Sequence, residues 1–212
     1  VWDDNFTLDP ERVKKICSEI MRRGLEKKIR LSLSSGIRAD IYDEEMFDLM
    51  KRAGVYYMNV AVESGNQGVI DKIGKGLDLE KVPVTLECLE RKGFRIGLFF
   101  MMGFPFETLK NLRETAEFAA SLPGHHVYFF TVTPFPGTGL LDMVADTKTL
   151  LDHYRSDYVN YETGGVKYSS PPEFKEKDLC SMQRYGYRKF YMDFRRLYRI
   201  FRAMTRDGGW HN

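Results

Sequence analysis

The chain has 212 residues and a formal net charge of +2, and 43% of its residues are hydrophobic and 14% aromatic. This length and apolar content predict a folded domain with a substantial core and exclude a largely disordered chain. The near balance of charge neither requires nor excludes an anionic partner. No apolar run approaches the roughly 18 residues of a membrane span, and no signal peptide is visible, so we expect a cytoplasmic protein.

Apolar runs alternate with helical patterns along the chain, and a short polar or glycine-rich stretch follows each run. Val1-Trp2 is predicted to end a strand, and Asp9-Pro10 to begin a helix that closes at Gly24. Further strands are predicted at 28–34, 55–62, 94–102 and 127–132. Further helices are predicted at 43–54, 67–73, 79–92 and 107–122, with another starting at Gly137.

This order predicts an α/β fold, a partial TIM-like (β/α) barrel of about five parallel β/α units over residues 1–150. Residues 151–212 are predicted to form a C-terminal extension that is loop-rich at 154–172 and helical from 173. Five strands cannot close a barrel alone, so we expect a missing preceding unit or an open sheet. An open apolar edge favours self-association, which we predict.

The final predicted helix, 182–204, carries aromatic residues on one stripe and basic residues on the other face. The simplest interpretation packs the stripe on the barrel and leaves the basic face in solvent. A contact with nucleic acid, anionic lipid or an acidic domain is the alternative. The basic residues are Arg184, Arg188, Lys189, Arg195, Arg196, Arg199 and Arg202.

Loops that follow parallel strands converge at one mouth of a barrel and carry its chemistry. Asp3 and Asp4 could bind a metal, an amine or a ribose, or could form a turn. Glu63 could accept both hydroxyls of a ribose or could cap the next helix. Gly103 could let an adenine ring lie against the main chain. The turn at 134–138 could form a wall for a flat ligand, or could be simple turn chemistry.

Other titratable groups favour structural roles. Glu107 starts a helix, where the dipole favours a carboxylate. Cys17 and Cys88 lie among apolar helix positions and are predicted core thiols, and no CxxC or CxxxC spacing relates the three cysteines. His125-His126 is expected on the face opposite the other loops and is not favoured as a metal site. We predict no metal ligands in this chain.

Six stretches, in this order, resemble motifs of the radical S-adenosylmethionine superfamily. The nearest likeness is to its cobalamin-associated branch, which includes the anaerobic magnesium-protoporphyrin monomethyl ester cyclases. The stretches are 3–7, 36–40, 62–65, 75–76, 103–108 and 134–138. The resemblance implies a 4Fe–4S cluster that reduces bound S-adenosylmethionine, and a 5′-deoxyadenosyl radical that abstracts a substrate hydrogen. It implies an oxidoreductase or methyltransferase and leaves the use of cobalamin open.

The resemblance also implies roles for residues that match the motifs. Asp3 and Asp4 would lie near the methionyl end or the substrate, and Arg38 would form a polar wall. The remaining positions would bind the cofactor: Glu63 at the ribose, Met102 and Gly103 beside the adenine, Pro134 and Pro136 around the adenine pocket, and Ser64 as a further binding residue. No catalytic residue is assigned.

The sequence departs from the family in lacking the CxxxCxxC loop that holds the cluster. We therefore predict cluster ligands upstream of Val1, and an inactive fragment that contains the second to sixth units. Phe106 stands where relatives usually carry glycine and is expected to crowd its loop. Phe104, Phe106 and Phe135 hint at a flat or apolar small-molecule substrate. A cluster-free binding barrel, and an RNA-associated module using the basic helix, are the alternatives; nucleic acid is the less favoured.

Overall fold

The computed structural model describes residues 1–3, 5–135, 137–143, 148, 152 and 174–206. Within them, a four-stranded parallel sheet has the order β1-β2-β3-β4, so each strand pairs with the next along the chain. The strands are β1 (Leu31–Arg38), β2 (Val55–Glu63), β3 (Arg95–Met102) and β4 (His126–Thr131). The predicted α/β class and parallel order are confirmed, and all four carboxyl ends lie at one edge.

Helices connect the strands. Helix α1 (Pro10–Arg22) precedes β1, α2 (Glu44–Arg52) leads to β2, α3 (Gln67–Lys72) and α4 (Lys81–Arg91) lead to β3, and α5 (Leu109–Ser121) leads to β4. Helices α6 (Gly139–Asp142), α7 (Glu176–Tyr191) and α8 (Phe194–Arg206) follow. Four helices begin at side-chain caps that accept a backbone N–H three residues on: Asp9, Asp43, Asn66 and Thr108.

The described residues contain four strands where the sequence predicted five units. Val1 and Trp2 are not in a strand, although the Val1 amino group donates a hydrogen bond to Ser32 O at 2.8 Å, beside β1. Strand β1 also ends later than predicted, so Arg38 lies in the strand and not in the following loop. The reason is an irregularity in the pairing between Leu33 and Ile37, where Gly36 has a φ of 103°.

Helices cover one face of the sheet, and the hydrophobic core lies between them. Leu98 and Phe100 of β3 are fully buried on this face, and Phe129 of β4 meets Tyr187 of α7 edge-on with ring centroids 5.1 Å apart. A Cβ on Gly186 would lie 2.8 Å from the Phe129 ring, so α7 can approach β4 this closely because Gly186 has no side chain. The alternate residues of the same strands face the other way.

The helix predicted over 182–204 is two helices, because the chain breaks between α7 and α8. The expected orientation of α8 is wrong: Phe194 is 87% exposed, whereas Arg196, assigned to the solvated face, is 1% exposed. The Arg196 guanidinium donates to the carbonyls of Ala120, Leu122 and Gly124 at distances of 2.6 to 3.2 Å. Carbonyls at a helix end lack partners within the helix. The carbonyls in the last turn of α5 and just after it therefore bind the Arg196 guanidinium in the interior.

The predicted boundary near residue 150 and the connection at 154–172 lie outside the described residues. Among the helices that are described, none combines the length and apolarity needed to cross a membrane.

Candidate functional site

A polar cavity of about 390 Å³ opens at the carboxyl edge of the sheet, beside the ends of β1 and β2. It brings together two predicted site residues, Arg38 and Glu63, with Asn5 and Lys75, which sequence reasoning had not assigned to the site. The wall therefore combines a carboxylate, an amide, an ammonium and a guanidinium within one small space.

Glu63 ends β2 in an unusual backbone conformation. Its φ is 72°, and it is the one described non-glycine residue with positive φ. Such a conformation costs free energy in a residue with a side chain and persists only where the surroundings impose it. Here the pairing of β2 with β3 shifts between Ala61 and Glu63. The Glu63 carboxylate then lies at the cavity, where its Oε1 accepts a hydrogen bond from Lys75 Nζ at 2.5 Å.

Arg38 fixes the loop that carries Lys75. Its guanidinium makes two bonds to the Asp40 carboxylate, at 2.9 and 2.7 Å, and donates to the carbonyls of Lys75 and Gly76 at 3.0 and 3.2 Å. Burial raises the pKa of Asp40, but the bonds and charge of Arg38 outweigh burial and leave that pKa below its usual value. Asp40 is thus a carboxylate that orients Arg38, and Arg38 in turn holds the loop against Glu63.

Glu107 holds the turn that follows β3. Its Oε2 accepts hydrogen bonds from the backbone N–H groups of Gly103 and Phe104 at 2.7 and 2.9 Å, and Gly103 has a φ of 103°. Glu107 is 1% exposed, and burial raises its pKa to about 7 although the two N–H donors oppose the shift. This geometry agrees with the structural role expected from its position before α5.

The remaining predicted residues at the start of the chain and after β2 are engaged by the protein itself. Asp3 pairs with Arg12 at 2.8 Å and accepts from Asn5 N at 3.0 Å. Ser64 is buried, and its hydroxyl bonds to Thr115 Oγ1 at 3.1 Å. The structure therefore shows both side chains in intramolecular contacts.

The other predicted residues lie at the ends of β3 and β4. The Met102 side chain is fully buried and lies on the same face of the sheet as that of Phe100. Only the backbone of Met102 can therefore contact a ligand. Pro134 is buried just after β4. Asp4 and Pro136 lie outside the described residues.

The face of the sheet opposite the described helices holds an aromatic group that sequence reasoning missed. Phe99 of β3 meets Tyr128 and Phe130 of β4 with centroids 5.4 and 5.3 Å apart, and Tyr128 and Phe130 are 38% and 44% exposed. On β2, Tyr57 donates to Asn59 Oδ1 at 2.5 Å, and burial raises the pKa of Tyr57. The period-two alternation of β3 and β4 could have revealed this face, but both faces of these strands are apolar and the alternation is faint.

The cysteines do not form a ligand set in the part of the chain that the structure describes. Cys17 of α1 and Cys88 of α4 are buried and Cys180 of α7 is exposed, so each lies on a different helix. Burial raises the pKa of the Cys17 thiol to about 11, which disfavours the thiolate that metals require. No group of three or more His, Cys, Asp or Glu able to hold a metal occurs among the described residues. These residues therefore do not fit a 4Fe–4S cluster.

Comparisons with known proteins point to one family. An uncharacterized methyltransferase of Pyrococcus horikoshii is 25% identical over 190 residues, which cover 90% of this chain and 40% of that protein. The anaerobic magnesium-protoporphyrin IX monomethyl ester cyclase of Rubrivivax gelatinosus is 20% identical over 90% of this chain and 33% of its own length. The chain thus spans well under half of either relative.

Among solved structures, the radical S-adenosylmethionine methyltransferase TsrM of Kitasatospora setae, with cobalamin and a [4Fe-4S] cluster bound, superposes with a TM-score of 0.59. The likeness covers 66% of this chain and 28% of TsrM at 22% identity, so it shows a shared fold. The profile of the Radical SAM superfamily matches residues 2–119. Because that match covers more than half of the sequence, the chain belongs to the Radical SAM superfamily.

Proposed function

We propose that this chain is the core of a radical S-adenosylmethionine enzyme, and that the cavity at the carboxyl edge binds the nucleoside of S-adenosylmethionine. One observation carries the proposal: two residues that carry hydrogen-bond acceptors, Glu63 and Asn5, line the same cavity. Asn5 Oδ1 is buried and has no hydrogen-bond partner among the described residues. The ribose hydroxyls and amino group of S-adenosylmethionine are donors that would satisfy both acceptors.

The Glu63 carboxylate has room for a ribose beside Lys75. Lys75 bonds Oε1, and Oε2 forms no hydrogen bond with another described residue. A vicinal hydroxyl can therefore bond Oε2 while the hydrogen bond from Lys75 keeps the carboxylate oriented. The strained backbone at Glu63 supports the same role, since positions of this kind cluster at ligand sites.

The adenine would extend from this cavity toward the end of β3 and lie against the backbone of Met102 and Gly103. Glu107 holds the backbone N–H groups of Gly103 and Phe104 in place there. Gly103 has no side chain to block a flat ring, and Pro134 lies beyond the neighbouring strand end. Ser64 would act through its bond to Thr115, which fixes the loop after Glu63. Asp3 and Asp4 would contribute at the methionyl end or the substrate, and Pro136 at the adenine pocket.

The aromatic group of Phe99, Tyr128 and Phe130 supports a flat or apolar small-molecule substrate on the sheet face opposite the described helices. A bound 4Fe–4S cluster would supply the electron that cleaves S-adenosylmethionine, but its ligands would have to come from outside the described residues. The 212-residue chain alone is therefore expected to bind the nucleoside without cleaving it. Cobalamin, a cytoplasmic location and self-association stay predictions.

Calorimetric titration of the chain with S-adenosylmethionine tests the site. Wild type should bind saturably, and Glu63→Gln should weaken binding at least tenfold, about 1.4 kcal/mol, because a charge-assisted bond is lost. Glu87→Gln, on the exposed face of α4, is the matched control and should bind like wild type. Circular dichroism would verify that both variants fold. Absence of wild-type binding, or equal binding by Glu63→Gln, would refute the assignment.

A further inference from the structure

A second cavity, of about 300 Å³, lies at the opposite end of the sheet. It is formed at the start of β3, before β4, at the end of α4 and along α8. Its charged and titratable lining consists of Glu90, Arg91, Arg95, His125, Arg199 and Arg202. Because β3 is eight residues long and a strand rises about 3.3 Å per residue, this cavity lies roughly 25 Å from the carboxyl edge.

The lining carries four guanidinium groups and one carboxylate. Two of the arginines are engaged by the protein: Arg199 Nε pairs with Glu90 at 3.1 Å, and Arg95 donates to the carbonyl of Ala203 at 2.9 Å. Arg91 and Arg202 are exposed, and their guanidinium groups form no ion pair or hydrogen bond with another described residue. Arg91 and Arg202 therefore add positive charge to the cavity that no described residue pairs with.

His125 adds a neutral donor to this wall. Its Nδ1 accepts a hydrogen bond from Ile96 N at 3.2 Å, so Nε2 carries the hydrogen of the neutral ring. Burial lowers the pKa of His125 to about 4, and the nearby charges of His126, Arg199, Arg95 and Arg196 lower it further in the same direction. The ring is thus neutral at pH 7, and Nε2–H is available as a hydrogen-bond donor.

We propose that this cavity binds the phosphate group of a small organic phosphate, with Arg91 and Arg202 as its main charged contacts. Arginine suits this ligand because its planar fork donates two parallel hydrogen bonds to phosphate oxygens. A volume of about 300 Å³ is at the small end of ligand cavities and holds a phosphate with a short organic part. The site is separate from the nucleoside cavity and does not depend on the function proposed for it.

Titration of the 212-residue chain with inorganic phosphate and with pyrophosphate, in a chloride buffer, tests the proposal. Both should bind saturably, with pyrophosphate the tighter. The double variant Arg91→Gln/Arg202→Gln should weaken pyrophosphate binding at least tenfold. Arg188→Gln removes one exposed charge from α7 outside the cavity and should leave the affinity unchanged. Glycerol 3-phosphate should bind more tightly than inorganic phosphate, because its organic part would fill the cavity beside the anion; weaker binding than inorganic phosphate would contradict an organic phosphate as the ligand.

Two results would contradict the proposed phosphate site. The first is the absence of saturable binding to wild type. The second is an equal loss of affinity in Arg188→Gln, which would indicate diffuse surface charge. A histidine-labelled sample gives a second readout, because a bound anion should raise the pKa of His125 in wild type and leave it unchanged in the double variant. No rise in wild type at saturating pyrophosphate would also contradict the proposal.

Discussion

The buried carboxyl of Glu107 should make the stability of this protein depend on pH in an unusual direction. Burial raises its pKa from 4.5 to about 7 in the folded chain. Between these values the folded state holds a proton that the unfolded state has released, so the free energy of unfolding falls as pH rises. A shift of this size corresponds to about 3 kcal/mol, lost between pH 4.5 and 7 and constant above.

Glu107→Gln isolates this effect. The amide keeps an acceptor oxygen for the N–H groups of Gly103 and Phe104 but has no proton to lose. Urea unfolding at pH 4.5, 6, 7 and 8 measures the free energy of unfolding of both proteins. Relative to wild type, that of Glu107→Gln should rise by about 3 kcal/mol across this range. Glu87→Gln, on the surface of α4, should follow wild type. Parallel pH profiles for wild type and Glu107→Gln would show that folding does not raise the pKa of the Glu107 carboxyl.

Two further substitutions test the packing around the site by urea unfolding. Gly65→Ala places a Cβ 2.6 Å from Phe118 Cβ, so it should cost about 1–3 kcal/mol, whereas Gly139→Ala meets nothing within 4 Å and should be near neutral. Arg196→Met leaves three carbonyls without their donor and should lower the free energy of unfolding by about 3 kcal/mol or more. Arg195→Met, at the exposed neighbouring residue, should lower it by about 0.5 kcal/mol or less. Equal losses within either pair would contradict the packing described.

Local signals in the sequence predict most of the fold. Asp9, Asp43 and Asn66 each sit before a helix and accept its third backbone N–H, so the starts of these helices can be predicted from neighbouring residues alone. The end of β1 could not be predicted this way, since it depends on how β1 pairs with β2. A pairing such as that of Ile37 with Val60, 23 positions further along the chain, leaves no mark on local composition.

The orientation of α8 could not be predicted for a related reason. Its aromatic stripe indicates an inward face by hydrophobicity, but the inward group is Arg196, whose partners are carbonyls on a segment more than 70 residues earlier. Which donor binds the free carbonyls at a helix end depends on the tertiary fold and cannot be read from neighbouring residues. The same applies to the arginine-lined cavity, which collects residues from α4, β3 and α8.

Part of the candidate site was predictable, because a carboxylate after a buried strand marks Glu63. Its contact with Lys75 was not, since that contact depends on the loop that Arg38 holds, and neither was the presence of Asn5 in the same cavity. The crowding expected at Phe106 stays a prediction; in the structure its ring stacks on Phe104 with centroids 5.5 Å apart, and Lys72 Nζ lies 5.1 Å from the Phe106 ring centroid.

The most direct test of the central claim is a crystal structure of the chain soaked with S-adenosylmethionine. The ribose hydroxyls should bond Glu63 Oε2 and Asn5 Oδ1, and the adenine should lie against the backbone of Gly103. The ligand found in the arginine-lined cavity, or absent from the carboxyl edge at saturating concentration, would contradict it.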